Sequence, residues 1–156
     1  MKRTRWIKRI ILTILTIVIC SLVLLSSYVI KEEQGLQDYA TSLSELPEVE
    51  RVEKISTFSG DEFYHVAKVK LKNETIQYYF IKDNEVVHYE NELNLMPLDK
   101  ILTVANSRVS GVVKHHYLGM FEERPIYEVL IGTTSSEVYV LIDAKSGEVI
   151  KEIVVE

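Results

Sequence analysis

The sequence predicts an α+β protein: one N-terminal transmembrane helix followed by two modules, each a helix combined with an antiparallel sheet. Three observations carry this. From Ile10 to Ile30 the chain has no charged residue for 21 positions. Two short helical stripes are each followed by four strand-like segments. The second helix-plus-strands block repeats the first at an offset of 62 or 63 residues.

The apolar run comes first. As a helix it spans about 31 Å, close to the roughly 30 Å hydrocarbon core of a bilayer. Thr13, Thr16, Ser21, Ser26 and Ser27 are tolerated there because their hydroxyls bond back to helix carbonyls. Trp6 and Tyr28 flank it at headgroup depth. The first nine residues hold Lys2, Arg3, Arg5, Lys8 and Arg9 and no acid. The excess of bases keeps that end cytoplasmic and places the C-terminal 126 residues outside the cell membrane. A cleaved signal peptide has a shorter apolar core and a small-residue exit, which this segment lacks, so an uncleaved single-pass anchor is expected. Cys20 reads as a small apolar residue in lipid. It is the only cysteine, so no intrachain disulfide forms.

Past the basic end, 13 Lys and Arg face 23 Asp and Glu. An acidic outer part lacks the basic footprint that nucleic-acid binding requires. Its 126 residues suffice for one ordinary domain or two very small ones, which excludes a large multidomain enzyme.

Leu36, Tyr39, Ala40 and Leu43 recur at helical spacing and form one apolar stripe. So do Leu98, Ile101, Leu102, Ala105 and Val109. Pro47 stops the first helix; Pro97 suits the start of the second and Gly111 its end. Strands are expected at Val49–Phe58, Glu62–Leu71, Thr75–Lys82 and Glu85–Glu90. A second set is expected at Val112–Phe121, Pro125–Thr133, Glu137–Asp143 and Glu148–Val154. Between them lie turn residues such as Ser59-Gly60-Asp61, Asp83-Asn84 and Lys145-Ser146-Gly147. Leu36, Tyr39, Ala40 and Leu43 map onto Leu98, Ile101, Leu102 and Ala105, and Tyr64-His65-Val66 maps onto Tyr127-Glu128-Val129. The division that follows is a basic N-terminus at 1–9, the transmembrane helix at 10–30, a first module at 31–90, a linker at 91–97 and a second module at 98–156. One unit of about 60 residues is marginal alone, so the two are expected to share a packed interface or a joined sheet.

Pro125-Ile126-Tyr127-Glu128-Val129, followed by Tyr139-Val140-Leu141-Ile142-Asp143-Ala144-Lys145-Ser146-Gly147-Glu148-Val149, resembles the strand pair of the PepSY family of extracytoplasmic α+β modules. The whole layout resembles the TseB-like (YpmB-like) cell-wall elongation regulators of Gram-positive bacteria. The match includes Thr57-Phe58-Ser59-Gly60-Asp61-Glu62-Phe63-Tyr64-His65-Val66 in a degenerate first module and Leu118-Gly119-Met120 in the second. The resemblance implies two PepSY-like (cystatin-like) modules, a non-enzymatic role, and binding and regulation of a membrane-anchored penicillin-binding transpeptidase. The broader family implies, as an alternative, an inhibitor or chaperone-like module acting on an extracytoplasmic peptidase. It brings no catalytic residues and no cofactor.

A search of the residues themselves finds no chemistry to add. His115 and His116 are strand neighbours and point to opposite faces, so they cannot share one metal. His65 and His88 could approach across strands, but exposed strand histidines need no function. Neither G-x-G-x-x-G, a P-loop, G-x-S-x-G nor H-E-x-x-H occurs. Ser59, Asp61 and His65 read as turn composition. Asp143 to Glu148 lacks calcium-loop spacing and reads as a hairpin turn with Gly147 at positive φ. No catalytic, cofactor-binding or metal residue is therefore expected.

The apolar faces are more informative. Thr75–Lys82 carries Ile76, Tyr78 and Phe80 on one face and Gln77, Tyr79 and Ile81 on the other. Glu137–Asp143 carries Val138, Val140 and Ile142 against Tyr139 and Leu141. A sheet with water on one side alternates more cleanly. The second face therefore meets the other module, stacked tyrosine pairs, or a partner. Partner-binding candidates are Tyr79, Tyr139 and Leu141, with Glu122, Glu123 and Arg124 on a nearby loop. Lys68, Lys70 and Lys72 read as a solvated strand face.

Overall fold

The computed structural model describes residues 14–24 and 35–155. The chain divides into two compact units, Met1–Thr41 and Ser42–Glu156. In the first, residues 14–24 are helical with exposed apolar side chains such as Ile17 and Leu24. The Ser21 hydroxyl donates to the Ile17 carbonyl at 2.6 Å, so a polar side chain is satisfied within an apolar helix. Among the described residues no helix is long and apolar enough to cross a membrane. The rest of the expected span, residues 10–13 and 25–30, lies outside them, as do the basic residues and Trp6 at the N-terminus. A further helix, α1, occupies residues 35–44 and straddles the boundary between the units.

The second unit holds two four-stranded antiparallel meanders. The first is β1 (Val49–Ser59), β2 (Phe63–Leu71), β3 (Ile76–Lys82) and β4 (Glu85–Asn91). A short 3-10 turn at Glu92–Asn94 follows, then α2 (Leu98–Arg108). The second sheet is β5 (Val112–Phe121), β6 (Arg124–Gly132), β7 (Glu137–Asp143) and β8 (Val149–Val155). Every strand lies within one residue of its expected bounds, because period-2 patterning and turn chemistry both act locally. Helix α2 ends one residue before Val109, whose φ of −130° is extended.

The turns have physical causes in their residues. Asp83 and Asn84 take φ of 50° and 68°, and Glu122 and Glu123 take 48° and 61°. These are two-residue hairpin turns with both central residues left-handed. The β7–β8 connection is built on Asp143, whose carboxylate accepts from the Lys145 and Ser146 amides at 2.9 and 2.7 Å. Gly147 then adopts φ 75°, as expected. The acid and glycine of this motif thus shape the turn.

One core joins the two modules, as their small size demands. Phe58, Tyr64, Val66 and Phe80 of the first sheet belong to the same buried cluster as Leu118, Tyr127, Val129 and Ile142 of the second. Ile101 and Ala105 of α2 are fully buried in it. Gly119 is a requirement of this junction: a Cβ there would collide with the Phe58 ring. The linker is pinned as well, by a Met96 amide donating to the Ala144 carbonyl at 2.7 Å. Glu90 at the end of β4 forms an ion pair with Lys145 of the β7–β8 turn and accepts from Asn94 at 2.8 Å. Burial pushes the Glu90 carboxyl up, but the hydrogen bonds from Lys145 and Asn94 outweigh it and hold it below the usual range.

Two expectations need correction. His65 and His88 do not approach each other across strands. The register pairs His65 with Ile81 and His88 with Phe80, so β3 separates the two rings and they face opposite sides of the sheet. The lysine row is not simply solvated. Lys68 reaches Glu92 at 3.0 Å, Lys70 reaches Glu50 at 3.2 Å and Lys72 donates to the Pro47 carbonyl at 2.6 Å. Lys68 and Lys70 thus reach acids far away in sequence, while Lys72 reaches a backbone carbonyl.

Candidate partner-binding surface

The face of the second sheet that bears Tyr139 is a set of cross-strand rows. The register aligns His115, Leu130, Tyr139 and Ile153 in one row across the four strands. The next row is Tyr117, Glu128, Leu141 and Lys151. Gly119 and Ile126 begin the third, where Phe58 of the first module lies against the glycine. Opposite residues of an antiparallel pair share a side, so these side chains share one surface. Of these, Glu128, Tyr139, Leu141, Lys151 and Ile153 bound a groove of about 320 Å³ together with the Phe58–Asp61 segment, Phe121 and Val155.

Leu141 in the groove and Leu130 on the adjoining row are each 4% exposed. On the same face, outside the groove lining, Tyr117 is 40% exposed, and the His115 ring lies between it and Tyr139, tilted against both, with ring centroids 5.0 and 6.1 Å away. Glu128 lies half-buried in this apolar setting, and burial pushes its carboxyl up. Among the described residues no hydrogen bond or ion pair reaches it. Lys151, on the same row, sets its ammonium 5.7 Å from the centre of the Phe121 ring.

The other expected site residues divide. Glu122, Glu123 and Arg124 form the exposed β5–β6 turn, with Arg124 donating to Glu122 at 3.0 Å. Glu122 and Glu123 border a second hollow of about 300 Å³ with Asp61, Glu62 and Tyr64, and Phe121 lines both hollows. Tyr64 donates to Glu62 at 2.6 Å, and burial together with that acid pushes its phenol up to about 12. Tyr79 is apart from these. It lies on the first sheet, 7% exposed, on the side of Ala67, Val69 and Ile81, with its ring 6.2 Å from Tyr89. That is the stacked tyrosine pair expected for a two-sided sheet.

Sequence reasoning passed over two features. Glu128 sits inside a motif read only as fold, and its lack of a partner depends on what neighbouring strands place beside it. The second is a cleft of about 670 Å³ at the module junction, lined by Lys68, Tyr78, Glu92, Leu95, His116 and Tyr127 among others. There the Tyr78 hydroxyl donates to Glu92 at 3.0 Å, and burial pushes the Tyr127 phenol up to about 12. No local signal could have found a cleft between segments this far apart in sequence.

Among the described residues no cluster of three or more His, Cys, Asp or Glu could hold a metal ion. His65 Nδ1 lies 3.2 Å from the hydroxyl of Thr57, its cross-strand neighbour. His115 and His116 do point to opposite faces, the former to the groove row and the latter to the junction cleft.

Comparison with known proteins agrees with this architecture. No curated protein matches the chain by sequence. Residues 95–153 match the PepSY family, described as the peptidase propeptide and YPEB domain. Among solved structures, the YpmB protein from Bacillus subtilis aligns with a TM-score of 0.66 at 20% identity, covering 76% of this chain and 95% of that one. A proposed lipoprotein from Clostridium difficile 630 aligns with a TM-score of 0.43 at 14% identity, covering 79% and 91%. The chain carries a PepSY domain in its second module and has the fold of YpmB, which is the recognition that its motifs implied.

Proposed function

We infer that this is a non-catalytic, membrane-anchored extracytoplasmic protein that binds and regulates a penicillin-binding transpeptidase of cell-wall elongation. The observation that carries the reading is the PepSY match on a fold like that of YpmB, a module of regulatory or inhibitor type. The partly open aromatic groove beside Glu128 supplies a surface for a partner. The apolar segment from Ile10 to Ile30, with five bases before it, supplies the anchor and the orientation. A compact head of this size has a radius of gyration near ~14 Å, which keeps it within a few tens of Å of the bilayer. A partner anchored in the same membrane meets it at high effective concentration, so a weak interface is occupied.

Crosslinking in native membranes, followed by identification of the captured protein, tests this. A penicillin-binding transpeptidase is the expected product. Capture of a peptidase instead favours the second reading, an inhibitor or chaperone-like module, which the propeptide description of the matched family supports. Hydrolysis of cell-wall peptides by the purified outer part, lost on His65→Ala, would overturn both.

A further inference from the structure

Glu128 occupies the middle of its sheet face, with Tyr117 opposite on one neighbouring strand and Leu141 opposite on the other. Glu128 is half-withdrawn from water and, among the described residues, receives no hydrogen bond, yet its oxygens stay open to solvent, so a donor brought by a partner can reach them. The remaining charge on the row does not supply one, because the Lys151 ammonium lies over Phe121. The neighbouring row adds a second unmet group: His115 Nδ1 is shielded from solvent and, among the described residues, has no hydrogen-bond partner. Tyr117, opposite the acid on β5 and at the edge of the junction cleft, is 40% exposed, and Ile153 and Val155, which line the groove with the acid, are 38% and 43% exposed. The surface thus combines an unpaired anion, flat aromatic rings and exposed aliphatic groups.

We propose that this face docks a segment of a protein partner that presents an arginine, with Glu128 receiving the guanidinium. Arginine fits better than lysine. Its planar fork offers paired donors to a carboxylate and stacks on aromatic faces, and Tyr117 and Tyr139 flank the acid. Aliphatic residues beside the arginine would cover Ile153 and Val155 on β8, the strand at the open edge of the sheet. An extended segment could also use the free backbone groups of that edge. The inference rests on the reading of the head as a binding module; it names the chemistry of the contact rather than the identity of the partner.

The test uses the full chain in detergent micelles and a capped five-residue peptide with one central arginine between leucine and isoleucine. A second peptide carries citrulline at the centre, which keeps the shape and removes the charge. The arginine peptide should bind about tenfold to a hundredfold more tightly, the range for a hydrogen bond to a charged group. NMR shifts should centre on Glu128, Tyr139 and Tyr117. Glu128→Gln should abolish the preference while the protein still melts cooperatively, and Lys151→Met should leave it in place. Equal affinity for the two peptides, a preference that survives Glu128→Gln, or shifts confined to other faces would overturn the proposal. These outcomes do not depend on the transpeptidase, so the docking chemistry and the proposed function fail separately.

Discussion

The contact between Glu90 and Lys145 joins the end of the first sheet to the β7–β8 turn of the second, and it allows a quantitative test of how the modules are held. Glu90 is 6% exposed, whereas the Lys145 side chain is 49% exposed. Lys145→Met keeps most of the aliphatic stem and removes the ammonium. The carboxylate then retains Asn94 at 2.8 Å, with His88 Nε2 at 3.6 Å. Removing one partner of a fully buried ion pair costs roughly 3–5 kcal/mol. Here half the pair is wet and one hydrogen bond persists, which lowers the expected loss to about 1–3 kcal/mol. The sign with pH follows from the carboxyl being held below its ordinary 4.5 in the folded state. A depressed acid adds stability above that value, and this is lost as pH falls through the folded one. The deficit of Lys145→Met should therefore be full at neutral pH and shrink in acid. Urea denaturation of the full chain in micelles, followed by circular dichroism at neutral pH and at about pH 3, measures both. Equal midpoints at neutral pH would refute the reasoning, as would a deficit that persists once the carboxyl is protonated.

Glu128→Gln should stabilise the protein at neutral pH by up to about 1 kcal/mol, since it removes a desolvated charge. Burial raises this carboxyl, so its penalty applies above the ordinary value and disappears below it; the gain should vanish in acid melts. Asp143→Ala removes the acceptor of two turn amides at 2.9 and 2.7 Å and should cost about 1–2 kcal/mol, seen as a lowered melting temperature. Gly119→Ala drives a methyl group into the Phe58 ring and should cost about 1–3 kcal/mol. A double-mutant cycle with Phe58→Leu should recover part of that, and strict additivity would disprove the contact. Glu123→Gly relieves a φ of 61° in the β5–β6 turn, and a rise of about 0.5–1 kcal/mol in stability is expected from thermal melts.

Much of this protein is written locally. The strands were legible because alternation and turn residues act over a few positions, and the helix from Leu98 because Pro97 opens a short apolar stripe. The same reasoning made Asp143 and Gly147 a turn, and they are one. Two sets of four strands were legible too, and with them the need for a common core. What a strand pattern leaves open is which apolar face meets what. Tyr79 and Tyr139 look alike in sequence, yet Tyr79 pairs with Tyr89 in the first sheet and Tyr139 borders a groove. Strand order alone separates His65 from His88, and the meeting of remote turns alone gives Glu90 its lysine. Glu128 shows the difference most sharply. Its chemistry as an acid is in the sequence, but that no described residue pairs with it is set by its two neighbouring strands, β5 and β7, because burial and pairing are properties of the assembled surface.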